Sequence, residues 1–172
     1  MPRTNVALVG FMGAGKSTVG RELAAHLGKT FVETDTLVER RAGMSVSDVF
    51  ARHGEAHFRE LEAAVVWETA KSQDCVIACG GGVVLREENV AALKASSVLV
   101  YLEVSPQSVL SRVGQQSTVR PLLSGPDRER RVAELMEQRR SAYEAAADVT
   151  VATDGVAVEQ VVRHVQELLT RL

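Results

Sequence analysis

Val6-Ala7-Leu8-Val9-Gly10-Phe11-Met12-Gly13-Ala14-Gly15-Lys16-Ser17 decides how this chain folds. Four consecutive apolar residues that stop at a glycine read as a strand buried on both faces. Ser17 to Leu27 then reads as a helix, with Gly28 at its end. Between strand and helix, Gly10 to Ser17 fits the pattern G-x-x-x-x-G-K-[ST]. A loop of this makeup turns backbone N–H groups inward onto phosphate oxygens, and its glycines let the backbone adopt positive φ and approach closely. The helix that follows adds the positive end of its dipole. Lys16 is spaced to reach β- and γ-phosphates, and the Ser17 hydroxyl to ligate Mg²⁺.

Working outward, apolar runs alternate with helical patterns. Thr30 to Glu33 reads as a second strand with Asp35 just beyond it, and residues 36 to 72 read as several helices punctuated by Gly43 and Gly54. Ser45 is a cap with Asp48 three residues on. The longest helix is expected from Ala56 to Ser72. Cys75 to Cys79 reads as a third strand ending in Gly80-Gly81-Gly82, Glu87 to Ala95 as a helix, and Val98 to Glu103 as a fourth strand. A helix opens at Ser105-Pro106, another runs from Asp127 to Ala147, Val149 to Ala152 is a fifth strand, and Val156 to Leu169 the last helix. This alternation predicts a three-layer α/β fold: a five-stranded parallel sheet with helices on both faces. Gly114 to Pro126 is polar and aperiodic and sits inside the domain, which predicts a moving lid rather than a linker. The expectation is one domain over 1–172, with substrate-binding helices at about 34–62 and a lid at about 113–126.

Chain length suits one domain with a proper core, and a formal net charge of -2 favours neither nucleic acid nor membrane. The opening Met1 to Val9 is neither a signal peptide nor a membrane span, so the expected location is cytoplasmic, as a monomer. Cys75 and Cys79, about 13 Å apart if both lie on a strand, are too distant for a disulfide and read as reduced core residues. A GTPase would carry an N-K-x-D-like guanine motif, which is lacking, and a motor ATPase a second apolar strand ending in Asp. ATP is therefore the expected co-substrate and Mg²⁺ the cofactor of a small kinase. In such a sheet the acceptor binds beyond the carboxyl ends of the strands, where Asp35, the triple glycine and Arg59 converge.

Gly10 to Thr18, Asp35, Gly-Glu-x-x-Phe-Arg-x-x-Glu at 54–62, Gly80-Gly81-Gly82, Arg120-Pro121-Leu122-Leu123, and Arg139 with Tyr143 together resemble the shikimate kinases. The likeness runs over nearly the whole chain. It implies a P-loop nucleoside-triphosphatase fold of the nucleoside-monophosphate-kinase type, and a reaction in which ATP and shikimate give ADP and shikimate 3-phosphate. It implies that Asp35 binds the acceptor hydroxyls and takes the attacking proton. Arg59 and Arg139 would hold the shikimate carboxylate, with Gly80, Gly81 and Gly82 beside them. Gly13, Ala14, Gly15, Lys16, Ser17 and Thr18 would hold the nucleotide, with Arg112 packing on adenine and Arg120 closing on the phosphates. Lys16, Asp35 and Arg120 would be the catalytic set. Many members carry Asp where this chain has Glu33.

The residue chemistry agrees independently. A polyhydroxylated ring with one carboxylate needs an anion clamp and an acceptor for hydroxyl protons, and Glu62, three residues after Arg59, is placed to orient that arginine. Two other readings share parts of this pattern: a gluconate-type small-molecule kinase and a non-catalytic ATP-binding regulatory module. Among the remaining residues, Arg140 reads as a surface charge beside Arg139, and His53 and His57 as surface residues with no third metal ligand. Trp67 reads as partly buried helix packing.

Overall fold

The apolar run at Val6 to Val9 lies in β1 (Asn5–Val9), whose five residues are all buried. The computed structural model describes residues 2–114 and 126–172. After β1 come α1 (Lys16–Leu27), β2 (Thr30–Glu33), α2 (Thr34–Ala42), α3 (Val46–Thr69) and β3 (Cys75–Ala78). A single 3-10 turn (Val83–Leu85) leads into α4 (Glu87–Ser96), β4 (Ser97–Glu103) and α5 (Pro106–Gly114). The described chain resumes before α6 (Arg128–Ala146), β5 (Val149–Ala152) and α7 (Val158–Leu169). Segment 115–125, with Arg120 and most of the expected lid, lies outside the described residues.

The sheet order is β2-β3-β1-β4-β5, every pair parallel. From β1 the chain travels outward to β2, returns to β3, and then crosses to β4 on the other side of β1. Right-handed crossovers therefore place α1 and α4 on opposite faces. α7 packs on α1, and α6 joins α4 against β4. The reversal of direction between β1 and β3 makes a crevice at their carboxyl ends, the position where such sheets bind ligands. Both the phosphate loop and the triple glycine open from it. The main core fills the sheet and its helices, including Leu8, Leu23, Ile77, Leu99 and Val165. A second, smaller cluster of Val38, Val49, Phe58 and Val65 holds α2 and α3 together as a separate lobe beside the crevice.

Several boundaries shift for identifiable reasons. α3 takes its cap from Ser45, whose Oγ accepts the Asp48 N–H at 3.1 Å. The helical run Val46–Thr69 is interrupted at Gly54, where φ is 83° and ψ is 171°. The last helix starts at Val158 rather than Val156, because Val156 N–H closes a turn onto the Thr153 carbonyl. Trp67 is not partly buried as expected: it is 58% exposed, with the Lys71 ammonium 3.0 Å from its ring centroid. Both cysteines are free and buried. No helix among the described residues is long and apolar enough to cross a membrane.

Candidate active site

A cleft of about 920 Å³ opens at the carboxyl ends of β1, β2 and β3. Its floor is the phosphate loop, which joins β1 to α1. Gly13 and Gly15 adopt φ of 81° and 92°, the conformation that the glycine spacing anticipates. The Lys16 ammonium folds over the loop, donating to the carbonyls of Gly10 at 2.7 Å and Phe11 at 2.9 Å. Ser17 Oγ donates to Glu33 Oε1 at the end of β2. Arg112 reaches from α5 to the Gly13 carbonyl at 2.8 Å and the Thr153 carbonyl at 3.4 Å, so it braces the rim of the loop.

The opposite wall is built by α2, α3 and the triple glycine. Thr34 is fully buried and accepts the Gly80 N–H at 2.9 Å, which fixes the first turn of α2 against the end of β3. Asp35 follows directly in that turn and lines the cleft. The glycines make room for this wall. A Cβ on Gly80 would stand 2.6 Å from Glu62 Oε1 and 2.8 Å from Asp35 Oδ1. A Cβ on Gly82 would stand 2.3 Å from Arg59 Nη1. Two carboxylates press against the backbone at Gly80 and a guanidinium at Gly82, whereas a Cβ on Gly81 would meet only ordinary contacts, the nearest at 3.5 Å.

Arg59 emerges one turn after the break at Gly54. Its Nη1 donates to Glu62 Oε2 at 2.9 Å and its Nη2 to Glu55 Oε1 at 3.2 Å. Glu62 is 1% exposed, and Oε1 has no hydrogen-bond partner among the described residues. Burial raises its pKa, Arg59 opposes that rise, and the nearby Asp35 carboxylate adds to it. Glu62 thus orients Arg59, as its spacing suggests.

Arg139 enters from α6. It is buried, with its guanidinium 5.8 Å from the centroid of the Phe11 ring and one nitrogen 3.7 Å from where a Gly81 Cβ would lie. Arg140, one residue on, pairs with Glu137 at 3.1 Å on the surface. One turn later, the Tyr143 hydroxyl donates to the Gly81 carbonyl, and its ring stacks on Tyr101 at 5.1 Å. Burial pushes the Tyr143 pKa up to about 12, against the pull of Arg139, so it stays a neutral donor. Burial likewise pushes the Cys79 thiol up to about 12, which leaves it protonated and unreactive as a nucleophile.

The cleft therefore brings together Gly13, Ala14, Gly15, Lys16, Ser17, Thr18, Asp35, Arg59, Gly80, Gly81, Gly82, Arg112 and Arg139. Glu33, Glu62 and Tyr143 belong to the same constellation. Glu62 and Tyr143 are signalled by helical spacing, whereas the Glu33 contact with Ser17 joins two different elements. His53 and His57 are exposed, their rings 4.9 Å apart, and no cluster of three metal-binding side chains occurs among the described residues.

Comparison with known proteins bears on the family and the fold. The family model described as shikimate kinase matches residues 12–170. A shikimate kinase of Moorella thermoacetica is 46% identical over 165 residues, 96% of this chain and 94% of that protein. The structure of a shikimate kinase from Acinetobacter baumannii in complex with shikimate superposes with a TM-score of 0.94 at 33% identity, covering 98% of this chain and 93% of that one. A gluconokinase from Sinorhizobium meliloti, at 19% identity and a TM-score of 0.63, shares the fold alone. The chain belongs to the shikimate kinase family.

Proposed function

We propose that this cleft transfers the γ-phosphoryl group of ATP to the 3-hydroxyl of shikimate. The observation that carries the reading is the convergence of Arg59 and Arg139 on the triple glycine, with Asp35 on the same backbone and the phosphate loop across the cleft. Two guanidiniums hold one carboxylate, each charged hydrogen bond contributing about 1.5–3 kcal/mol. That anchors the ring at one end and leaves its hydroxyls toward Asp35. The loop N–H groups and Lys16 hold the polyphosphate at the other end.

In the transfer, a bond forms between the acceptor oxygen and the γ-phosphorus while the bond to the β–γ bridging oxygen breaks. The acceptor proton passes to Asp35, and the negative charge left on ADP is met by Lys16 and the loop amides. The oxygen donors at the loop, the Ser17 hydroxyl with the Glu33 carboxylate behind it, suit a hard divalent cation such as Mg²⁺ that takes few protein ligands. Ser17 would hold it, and its chemistry is neutralisation of phosphate charge. The two reduced, buried cysteines fit a cytoplasmic protein.

Titration of shikimate into the wild-type chain, Arg139→Ala and Arg140→Ala tests the clamp. Arg139→Ala should weaken binding about tenfold or more, and Arg140→Ala should leave it unchanged. Asp35→Asn should lower kcat more than it changes shikimate binding. Equal binding by Arg139→Ala and wild type would remove Arg139 from the site.

A further inference from the structure

The two arginines of the cleft are held by different chemistry. Arg59 is paired with Glu55 and Glu62. Arg139, buried on α6, makes no ion pair among the described residues. Its polar partner is the hydroxyl of Tyr143, one turn on along the same helix, to which the guanidinium donates. That hydroxyl in turn donates to the Gly81 carbonyl. The Tyr143 ring is 2% exposed and stacks on Tyr101, ring centroids 5.1 Å apart, so it is not free to turn away. One Arg139 nitrogen is 3.7 Å from where a Gly81 Cβ would lie, so hydroxyl, guanidinium and glycine meet at one point.

A phenolic hydroxyl has a single proton to give, and a guanidinium can only donate. With its proton committed to the Gly81 carbonyl, the Tyr143 oxygen turns a lone pair to Arg139. We propose that Tyr143 is the positioning residue for Arg139: anchored on the Gly81 carbonyl, its neutral hydroxyl aims the guanidinium into the cleft and leaves the charge uncancelled for the carboxylate of the acceptor. The proposal rests on the acceptor reading above. A carboxylate in the place of Tyr143 would hold Arg139 as firmly, but it would compete with the ligand for the same charge. Burial holds the phenol pKa up at about 12, so the hydroxyl stays uncharged through the neutral range.

The test is steady-state kinetics with shikimate and with its carboxamide, which keeps the ring hydroxyls and lacks the charge. The proteins are wild type, Tyr143→Phe, Arg139→Ala and the double variant. Tyr143→Phe keeps the ring and its stacking and removes only the hydroxyl. It should raise shikimate KM about tenfold with kcat little changed, and with ADP affinity unchanged as a check that the fold is intact. The carboxamide should be a poor acceptor for wild type and no poorer for Tyr143→Phe. In the Arg139→Ala background, Tyr143→Phe should cost nothing further. An unchanged shikimate KM in Tyr143→Phe overturns the role and leaves the acceptor reading standing. Equal losses with both acceptors, or a full additional loss in the double variant, also overturn it, because Tyr143 would then support the glycine wall and not Arg139. A wild type that uses the carboxamide as well as shikimate overturns both. A structure of the wild type with shikimate bound tests the same point without a substitution. Arg139 should hold the carboxylate while still on the Tyr143 hydroxyl, and a guanidinium that leaves Tyr143 to reach the carboxylate overturns the proposal.

Discussion

A Cβ on Gly82 would stand 2.3 Å from Nη1 and 2.5 Å from Cζ of Arg59. The obstructing group is the far end of a flexible side chain, so Gly82→Ala should fold, and Arg59 should move instead. The consequence is functional: displaced from Glu62, Arg59 loses its aim. Shikimate KM should rise about tenfold or more, with a smaller change in kcat and a melting temperature near wild type. Steady-state kinetics beside a thermal melt checks this, and an unchanged KM would mean that Arg59 does not bear on the acceptor. At this scale the sequence was partly legible. Lys16 and Ser17 are set by a local pattern, and Glu62 follows from its spacing to Arg59. Residue chemistry alone does not separate Arg139 from Arg140; the resemblance, which pairs Arg139 with Tyr143, favours Arg139, and burial on one side of α6 separates the two. The Glu33–Ser17 contact joins residues on β2 and α1 and has no local signature.

Among the elements, α3 brings Arg59 to the cleft because it is broken. Gly54 holds φ 83° and ψ 171°, a conformation open to glycine and strained for any L side chain. The break redirects the second half of the helix so that Phe58 packs into the small lobe, 4.7 Å from Phe50, while Arg59 faces the cleft. Gly54→Ala should cost about 1–3 kcal/mol and raise shikimate KM, because straightening the helix rotates Arg59 away. Denaturant unfolding and kinetics on the same preparation test it; a variant as stable and as active as wild type would contradict it. Strand and helix order was readable because buried strands are continuous apolar runs and the breaks fall at glycines. Trp67 was misread because an aromatic in an apolar helix pattern resembles core, and nothing in α3 itself tells which of its faces the lobe leaves uncovered.

For the whole molecule, the closing contact of the sheet is polar. Asp148 Oδ2 accepts from Leu99 N–H and from Arg3 Nη1, each at 2.8 Å, joining the amino-terminal segment to β4 and to the entry of β5. Burial raises the Asp148 pKa, but the Leu99 N–H and Arg3 outweigh it and hold the carboxyl below its ordinary 3.8. A depressed carboxyl contributes stability above its unfolded pKa and loses it as pH falls through the folded value. Asp148→Asn should therefore lower stability at pH 7 by about 1 kcal/mol, discounted for partial exposure. The gap should close as pH falls below about 4. Unfolding curves across that window check the sign; a gap that persists in acid would assign the loss to packing instead.

In the proposed function, one cleft holds ATP at the phosphate loop and shikimate at the two arginines. Its most direct test is ADP release by the purified chain with ATP and Mg²⁺, measured with shikimate, with gluconate and with no acceptor, while the mass of the acceptor is followed. The prediction is ADP formed with shikimate alone, in equal amount with singly phosphorylated shikimate. ADP formed as fast with gluconate, or without any acceptor, would contradict it.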